Sequence, residues 1–465
     1  MHRPRGMRST GRALGLLACG LCAACATSTA IRPAQPEDDP AHKSYVLPVV
    51  ETIAMDAALN FAGRLVLDPA TFEVSATTLR RNLRGPWVVD DDPFQVNQFW
   101  HPYQGAMYHG IARSNGHGYW ASVVYTFAGS AMWEIAGETT APSRNDQIAS
   151  GIAGSFLGEP LFRISRLLLE RADNGPGAWR TLASVLASPP TGINHVLVGR
   201  PAGSPAADAV PFSDIRVQFG TTTAIAHGRS RSLSSLTLNQ PHVALSMDYG
   251  YPGNAGYRHE RPFDYFRIES SVSSEGLEQL STRGLIAGTD YGAGRLAGIW
   301  GLYGTYDYFS PDDFRLSTTA FSFGTTLQAS IFESLVMQST GLMGGGYAAA
   351  RALARTDGRD YHYGVTPQAL VNLRFIAGRR AALDVTARQY FISGVGGFGT
   401  GQRDLIFVGD ASLAMRVYRR HALGFTYQLA GRSSDYLELP DRTQSRSRVG
   451  VFYTLLGSGG FGAVQ

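Results

Sequence analysis

Between Asn97 and Arg171 the chain gathers the side chains that can do chemistry: His101, His109, Arg113, Glu134, Glu138, Asp146, Glu159 and Arg163. Two carboxylates with imidazoles suit a divalent metal, and equally an acid and base for hydrolysis. Glu134 and Glu138 are four apart and share one helix face if the helix continues through Gly137. With His101 and His109 they form the candidate catalytic group of an outer-membrane hydrolase acting on envelope lipid or glycan. Arg113, Asp146, Glu159 and Arg163 are expected to be a structural polar cluster, because charges inside a helical bundle must pair. No metal site is expected: His101 and His109 are eight apart with Pro102 between them, which is not the spacing of two zinc ligands on one helix. Nor is any cofactor expected, since the glycine-rich run Gly394 to Gly401 lacks the Lys-Ser/Thr that a phosphate-binding loop requires.

Helices must position these groups. Asn97 leads through Pro102 into a helix reaching Ala112, Tyr119 to Glu134 forms a second, and Ile148 to Glu170 a third, interrupted or restarted at Pro160. Ser143 and Asp146 have the spacing of a helix-start box. Gly151, Gly154, Ser155 and Gly158 on one side, with Gly129, Ser130 and Ala131 on the other, permit helices to approach closely. Upstream, Val49, Ile53, Met55, Ala58, Leu59 and Ala62 mark an irregular apolar face consistent with core packing. Ser114-Asn115-Gly116 resembles part of the nucleophile region of an outer-membrane phospholipase, with His117 beside it, but Asn-Gly-His-Gly is equally a helix-breaking turn.

A run of linked motifs is more specific. His101-Pro102-Tyr103-Gln104-Gly105-Ala106-Met107-Tyr108, Ala112-Arg113-Ser114-Asn115-Gly116, Tyr119-Trp120, Trp133-Glu134, Gly137-Glu138, Pro142-Ser143, Asn145-Asp146 and Gly158-Glu159 follow in order. Over about residues 85–175 the chain resembles the bacterial envelope family named domain of unknown function 3943. That resemblance implies an uncharacterised envelope protein and brings no reaction, cofactor or catalytic residue with it.

The rest of the sequence speaks to location. Arg3, Arg5, Arg8 and Arg12 precede an apolar run from Ala13 to Ala24, the pattern of a secretory leader. All three cysteines lie in or at the end of it, and Cys25, or less readily Cys19, is placed for lipoprotein-type acylation. The +4 net charge resides in those four arginines, so the body is neutral and no nucleic-acid partner is expected. Outer-membrane lipid is the expected partner; the sequence names no protein partner.

From Asp214 onward apolar and polar residues alternate strictly, as in Ile215, Val217, Phe219 against Arg216, Gln218, Gly220. Twelve such segments are expected, near 214–226, 240–250, 262–273, 281–290, 295–306, 314–328, 333–345, 361–376, 380–393, 403–417, 421–432 and 445–456. Short and long connections alternate between them, as in outer-membrane barrels, except near 251–261 where a short turn is due. The polar face collects Arg216, Asp248, Arg267, Glu269, Arg374, Asp384, Arg388, Asp410 and Arg416, which can neutralise one another in a lumen. Tyr303, Tyr306, Tyr308, Phe309, Tyr418, Tyr427 and Tyr436 are expected as interfacial girdles.

The expected fold is mainly β with an α-helical N-terminal module: a transmembrane antiparallel β-barrel of about twelve strands. The division is a leader at 1–25, a tether at 26–42, the helical module at 43–195, a linker at 196–213 and the barrel at 214–465. A structural or transport role in the bacterial outer membrane follows.

Overall fold

The computed structural model describes residues 43–89, 92–170, 177–198, 213–226, 240–311, 314–351, 361–394, 403–436, 440–457 and 459–464. The expected leader with Cys19 and Cys25, the tether and most of the linker lie outside the described residues. The chain forms two compact units, one spanning Ala34–Ala207 and one that holds Asp208–Gln465.

The second unit is a closed barrel of twelve strands. They are β1 (Ser213–Ala226), β2 (Gln240–Tyr249), β3 (Phe266–Ser273), β4 (Gly276–Ala293), β5 (Leu296–Phe309), β6 (Leu316–Phe332), β7 (Leu335–Arg351), β8 (Tyr361–Ala377), β9 (Ala381–Ile392), β10 (Arg403–Tyr418), β11 (His421–Asp435) and β12 (Arg442–Leu456). Neighbours in sequence pair antiparallel, and β1 with β12 closes the ring. Every segment expected from the alternation is a strand.

The two faces of the sheet are inverted relative to a water-soluble barrel. Trp300, Phe323, Met343, Val371, Phe407, Phe425 and Val451 are exposed on the outside. Inside, Arg216, Asp248, Arg267, Arg374 and Arg388 are buried. The expected lumen charges find one another: Arg216 with Asp384 at 3.1 Å, Arg267 with Asp248 at 2.6 Å, Arg374 with Asp248 at 3.2 Å, Arg388 with Glu269 at 3.0 Å and with Asp410 at 2.9 Å. Arg416 is the exception, donating to the Gly459 carbonyl.

Apolar layers lie on either side of these charges. Phe309, Leu316, Tyr390 and Ile406 pack toward the end with the longer connections. At the other end the chain folds into its own barrel. The connection 250–265, too long for the short turn due there, contributes Tyr251 and Tyr265 to a cluster with Ile299, Tyr303, Leu342 and Val464. The tail after β12 enters beside it: Gln328 donates to the Val464 carbonyl and accepts from its N–H, at 2.8 and 2.9 Å, while Gln338 donates to the Gly462 carbonyl at 2.7 Å. Tyr303 and Phe309 therefore belong to interior clusters rather than to a girdle, and Tyr306 and Tyr308 are buried too; Tyr418 and Tyr427 are exposed as expected.

The first unit is helical: α1 (Leu47–Val66), α2 (Pro69–Phe72), α3 (Ala76–Arg84), α4 (His101–Ser114), α5 (Tyr119–Ala136), α6 (Arg144–Ile148), α7 (Gly154–Glu170), α8 (Ala178–Ala187) and α9 (Pro189–Val198). Two π turns, Val96–Trp100 and Ala149–Ala153, run directly into α4 and α7. Helix α7 continues through Pro160. No helix among the described residues is long and apolar enough to cross a membrane.

Helix α1 reverses the expected packing. Pro48, Thr52, Asp56 and Gly63 point inward, while Val49, Ile53, Leu59 and Phe61 are exposed. A row of small and polar residues packs inward because it has partners there: Asp56 accepts from Tyr108 at 2.6 Å, and Asn60 donates to the carbonyls of Phe72 and Gly137 at 2.9 and 2.8 Å. The apolar face that reads as core is the outer surface.

Phe461, 1% exposed among Ile376, Ala414 and Leu456, anchors the inserted tail. Phe461→Ala is expected to destabilise the barrel by about 3 kcal/mol, measured by reversible guanidinium unfolding in detergent.

Candidate functional site

Helix α5 ends at Ala136 with Gly137 as its C-cap, so the four-residue spacing does not carry Glu138 onto the face of Glu134. Glu138 instead accepts from the Trp133 indole at 3.0 Å and from Thr140 at 3.1 Å. The remaining charged residues divide into two groups.

The first group centres on Glu159, fully buried on α7. Arg163, one turn on, lies 2.8 Å from it, Arg113 of α4 at 2.9 Å and His109 at 3.0 Å. Burial alone would raise the Glu159 carboxyl, but the two guanidiniums and His109 hold it well below the usual carboxylate range. Burial pushes the His109 imidazole down, toward its neutral form. Arg113 also caps the turn after α4 through the His117 carbonyl at 2.7 Å, and its guanidinium lies over the Phe162 ring. His109, expected among catalytic candidates, is thus part of the pairing cluster with Arg113, Glu159 and Arg163.

Glycine makes this contact possible. A Cβ on Gly154 would lie 2.6 Å from the Cα of Gly105, and one on Gly158 2.7 Å from the His109 Cβ. The small residues of α7 therefore face α4. Gly129, expected to face them, packs against Tyr108 and Thr52 instead.

The second group joins His101, Glu134 and Asp146, whose donor atoms all lie within 4.8 Å of one another. Each comes from a different element. His101 opens α4 straight after a π turn, Asp146 sits on α6 just before the other, and Glu134 lies near the end of α5. A π turn inserts a residue, which rotates the helix face beyond it by about 100°. Ser143 caps α6, its hydroxyl accepting from the Asp146 N–H at 3.3 Å. The return bond of a capping box is made by another residue: Ser143 N–H donates to Glu134 Oε2 at 2.8 Å. The Asp146 carboxylate instead turns Oδ2 to within 3.7 Å of His101 Nε2, while Oδ1 accepts from Asn145 at 3.0 Å. Burial, then repulsion from Asp146, pushes the Glu134 carboxyl up to about 8, with His101 and the Ser143 N–H pulling the other way.

Two networks were outside the sequence reading. Asp56 accepts from Tyr108, which accepts from Gln104 at 2.7 Å; Asn115 and Asn194 both donate to Glu51, at 2.8 and 2.9 Å. The recurrence of Pro48, Thr52 and Asp56 every four residues was the available signal. Ser114 donates to the Ile111 carbonyl and accepts from Asn194, whereas His117 lies 2.7 Å from the Ser44 carbonyl, so the two do not form a nucleophile and base.

Residues 86–190 match the family described as domain of unknown function, DUF3943. This bears out the resemblance read from His101 to Glu159, and both polar groups lie within the DUF3943 segment. No curated protein matches the chain. Among solved structures, the NanC porin aligns at 9% identity and TM-score 0.26, over 51% of this chain and 98% of that one. An anion-selective porin from Comamonas acidovorans aligns at 10% identity and TM-score 0.24, over 53% and 99%. OmpT of Vibrio cholerae aligns at 6% identity and TM-score 0.19, over 53% and 97%.

Burial pushes the Asp56 carboxyl up to about 7 despite its bond from Tyr108. A carboxyl raised in the folded state contributes stability that is full below its unfolded pKa and is lost as pH rises through the folded one. Hydrogen exchange of α1 is therefore expected to accelerate between about pH 4 and pH 7 beyond its intrinsic pH dependence, and Asp56→Asn to abolish that excess.

Proposed function

We propose that the protein is a bacterial outer-membrane barrel with a structural role in the envelope, holding a lipid-facing helical module and conducting no solute. One observation carries the reading. Arg374 on β8 bonds Asp248 on β2, and Arg388 on β9 bonds Glu269 on β3. In a ring of twelve, each of these strand pairs is six positions apart, so each ion pair crosses the full width of the lumen. The inserted connection and tail support closure from one end.

The membrane location is supported by the outward apolar belt and by closure of the ring, which leaves no unpaired strand edge to face lipid. A leader ending in acylated Cys25 would deliver and anchor the chain. Lipid as partner is further supported by the outer face of α1, where Val50, Phe61 and Leu65 are exposed. Against a hydrolase built on His101, His109, Glu134 and Glu138 stands the placement of His109 in the Glu159 cluster and of Glu138 on Trp133 and Thr140, while His101 and Glu134 face Asp146.

Purified protein reconstituted in planar bilayers is expected to give no ohmic steps; a steady open conductance would contradict the closed lumen. A spin label at Phe61→Cys in nanodisc-embedded protein is expected to relax faster with oxygen than with a water-soluble nickel chelate. The reverse ordering would remove α1 from lipid.

A further inference from the structure

The two polar groups of the helical unit are balanced differently. Glu159 has two guanidiniums and an imidazole about it. At the second group two carboxylates converge with a single imidazole, all three residues deeply buried: His101 is 5% exposed, Glu134 7% and Asp146 1%. His101 Nε2 faces Asp146 Oδ2 from 3.7 Å, too far for a hydrogen bond. Two donors held at metal-bond length from one tetrahedral centre lie about 3.4 Å apart, close to this spacing. The Ser143 N–H and the Asn145 amide already orient one oxygen of each carboxylate, as the outer partners of a metal site do.

We propose that His101, Glu134 and Asp146 form a binding site for a divalent first-row transition metal, of the zinc class. One nitrogen and two oxygens match a borderline cation better than calcium or magnesium, which take oxygen alone. Three protein ligands leave a position for water, the arrangement of sites that bind a further ligand. The donors come from α4, α5 and α6, so their alignment in sequence, 33 and 12 residues apart, matches no local motif. This site stands independently of the structural role proposed for the barrel.

The test uses the full chain in detergent, stripped with a chelator and titrated with Co2+ and, separately, with Zn2+. The expected result is one equivalent of each per chain, with Co2+ giving the intense visible bands of a four- or five-coordinate nitrogen–oxygen site and Zn2+ displacing it. His101→Gln and Asp146→Asn are each expected to weaken binding by at least about tenfold. Glu73→Gln, at an exposed position, is expected to leave it unchanged. Wild-type protein that binds no stoichiometric metal, or shows only the pale spectrum of hydrated Co2+, overturns the proposal. So does undiminished affinity in folded His101→Gln, with folding judged by helical circular dichroism. If the variants fail to fold, the wild-type cobalt spectrum decides alone.

Discussion

The outward face of these strands is an apolar belt, so the ionisable side chains buried in the ring turn inward and most of them meet a counter-charge there. Everything about the barrel's interior follows from how that requirement is met. Arginine is long enough to reach past its own strand, and its planar fork bonds two carboxylates at once. Arg374 thus joins Asp384 on the neighbouring strand to Asp248 on the far wall, and Arg388 joins Asp410 to Glu269. Such buried pairs add little net stability over apolar packing, but removing one partner leaves an uncompensated charge. The network therefore fixes which side chains can meet, and apolar layers with the inserted tail fill what remains.

The helical unit meets a related requirement with other parts. Its interior is where polar groups find partners, and α1 directs Thr52 and Asp56 there while its valines and leucines face out. Glycines on α4 and α7 bring the backbones close enough for Glu159 on α7 to reach Arg113 and His109 on α4. The same unit then sets His101, Glu134 and Asp146 together without an arginine in their number, because Glu134 takes over the capping bond that Asp146 would otherwise make.

Period-two alternation made the strands legible, since a one-residue slip would turn the interior charges onto the apolar outer face. Eight of the nine charges read on the polar face pair with one another across or around the ring, a result that composition and parity alone could anticipate. Which strands they join was not readable, because that depends on the closure of the ring. The family resemblance was legible from linked motifs. Three features were not. The apolar face of α1 reads as core, since periodicity gives a face but not its direction. Glu138 reads as a partner of Glu134 because helix ends are set by capping, here at Gly137. His101, Glu134 and Asp146 share no spacing, as π turns and a substituted capping bond bring them together.

Closure of the lumen by ion pairs between opposite walls is tested most directly by a double-mutant cycle on Arg388 and Glu269, using Arg388→Ala, Glu269→Ala and both together, with unfolding free energies measured in detergent. The account predicts that the two substitutions are strongly non-additive, with a coupling energy of about 1.5 kcal/mol or more. Additive losses, as for residues that never meet across open water, would contradict it.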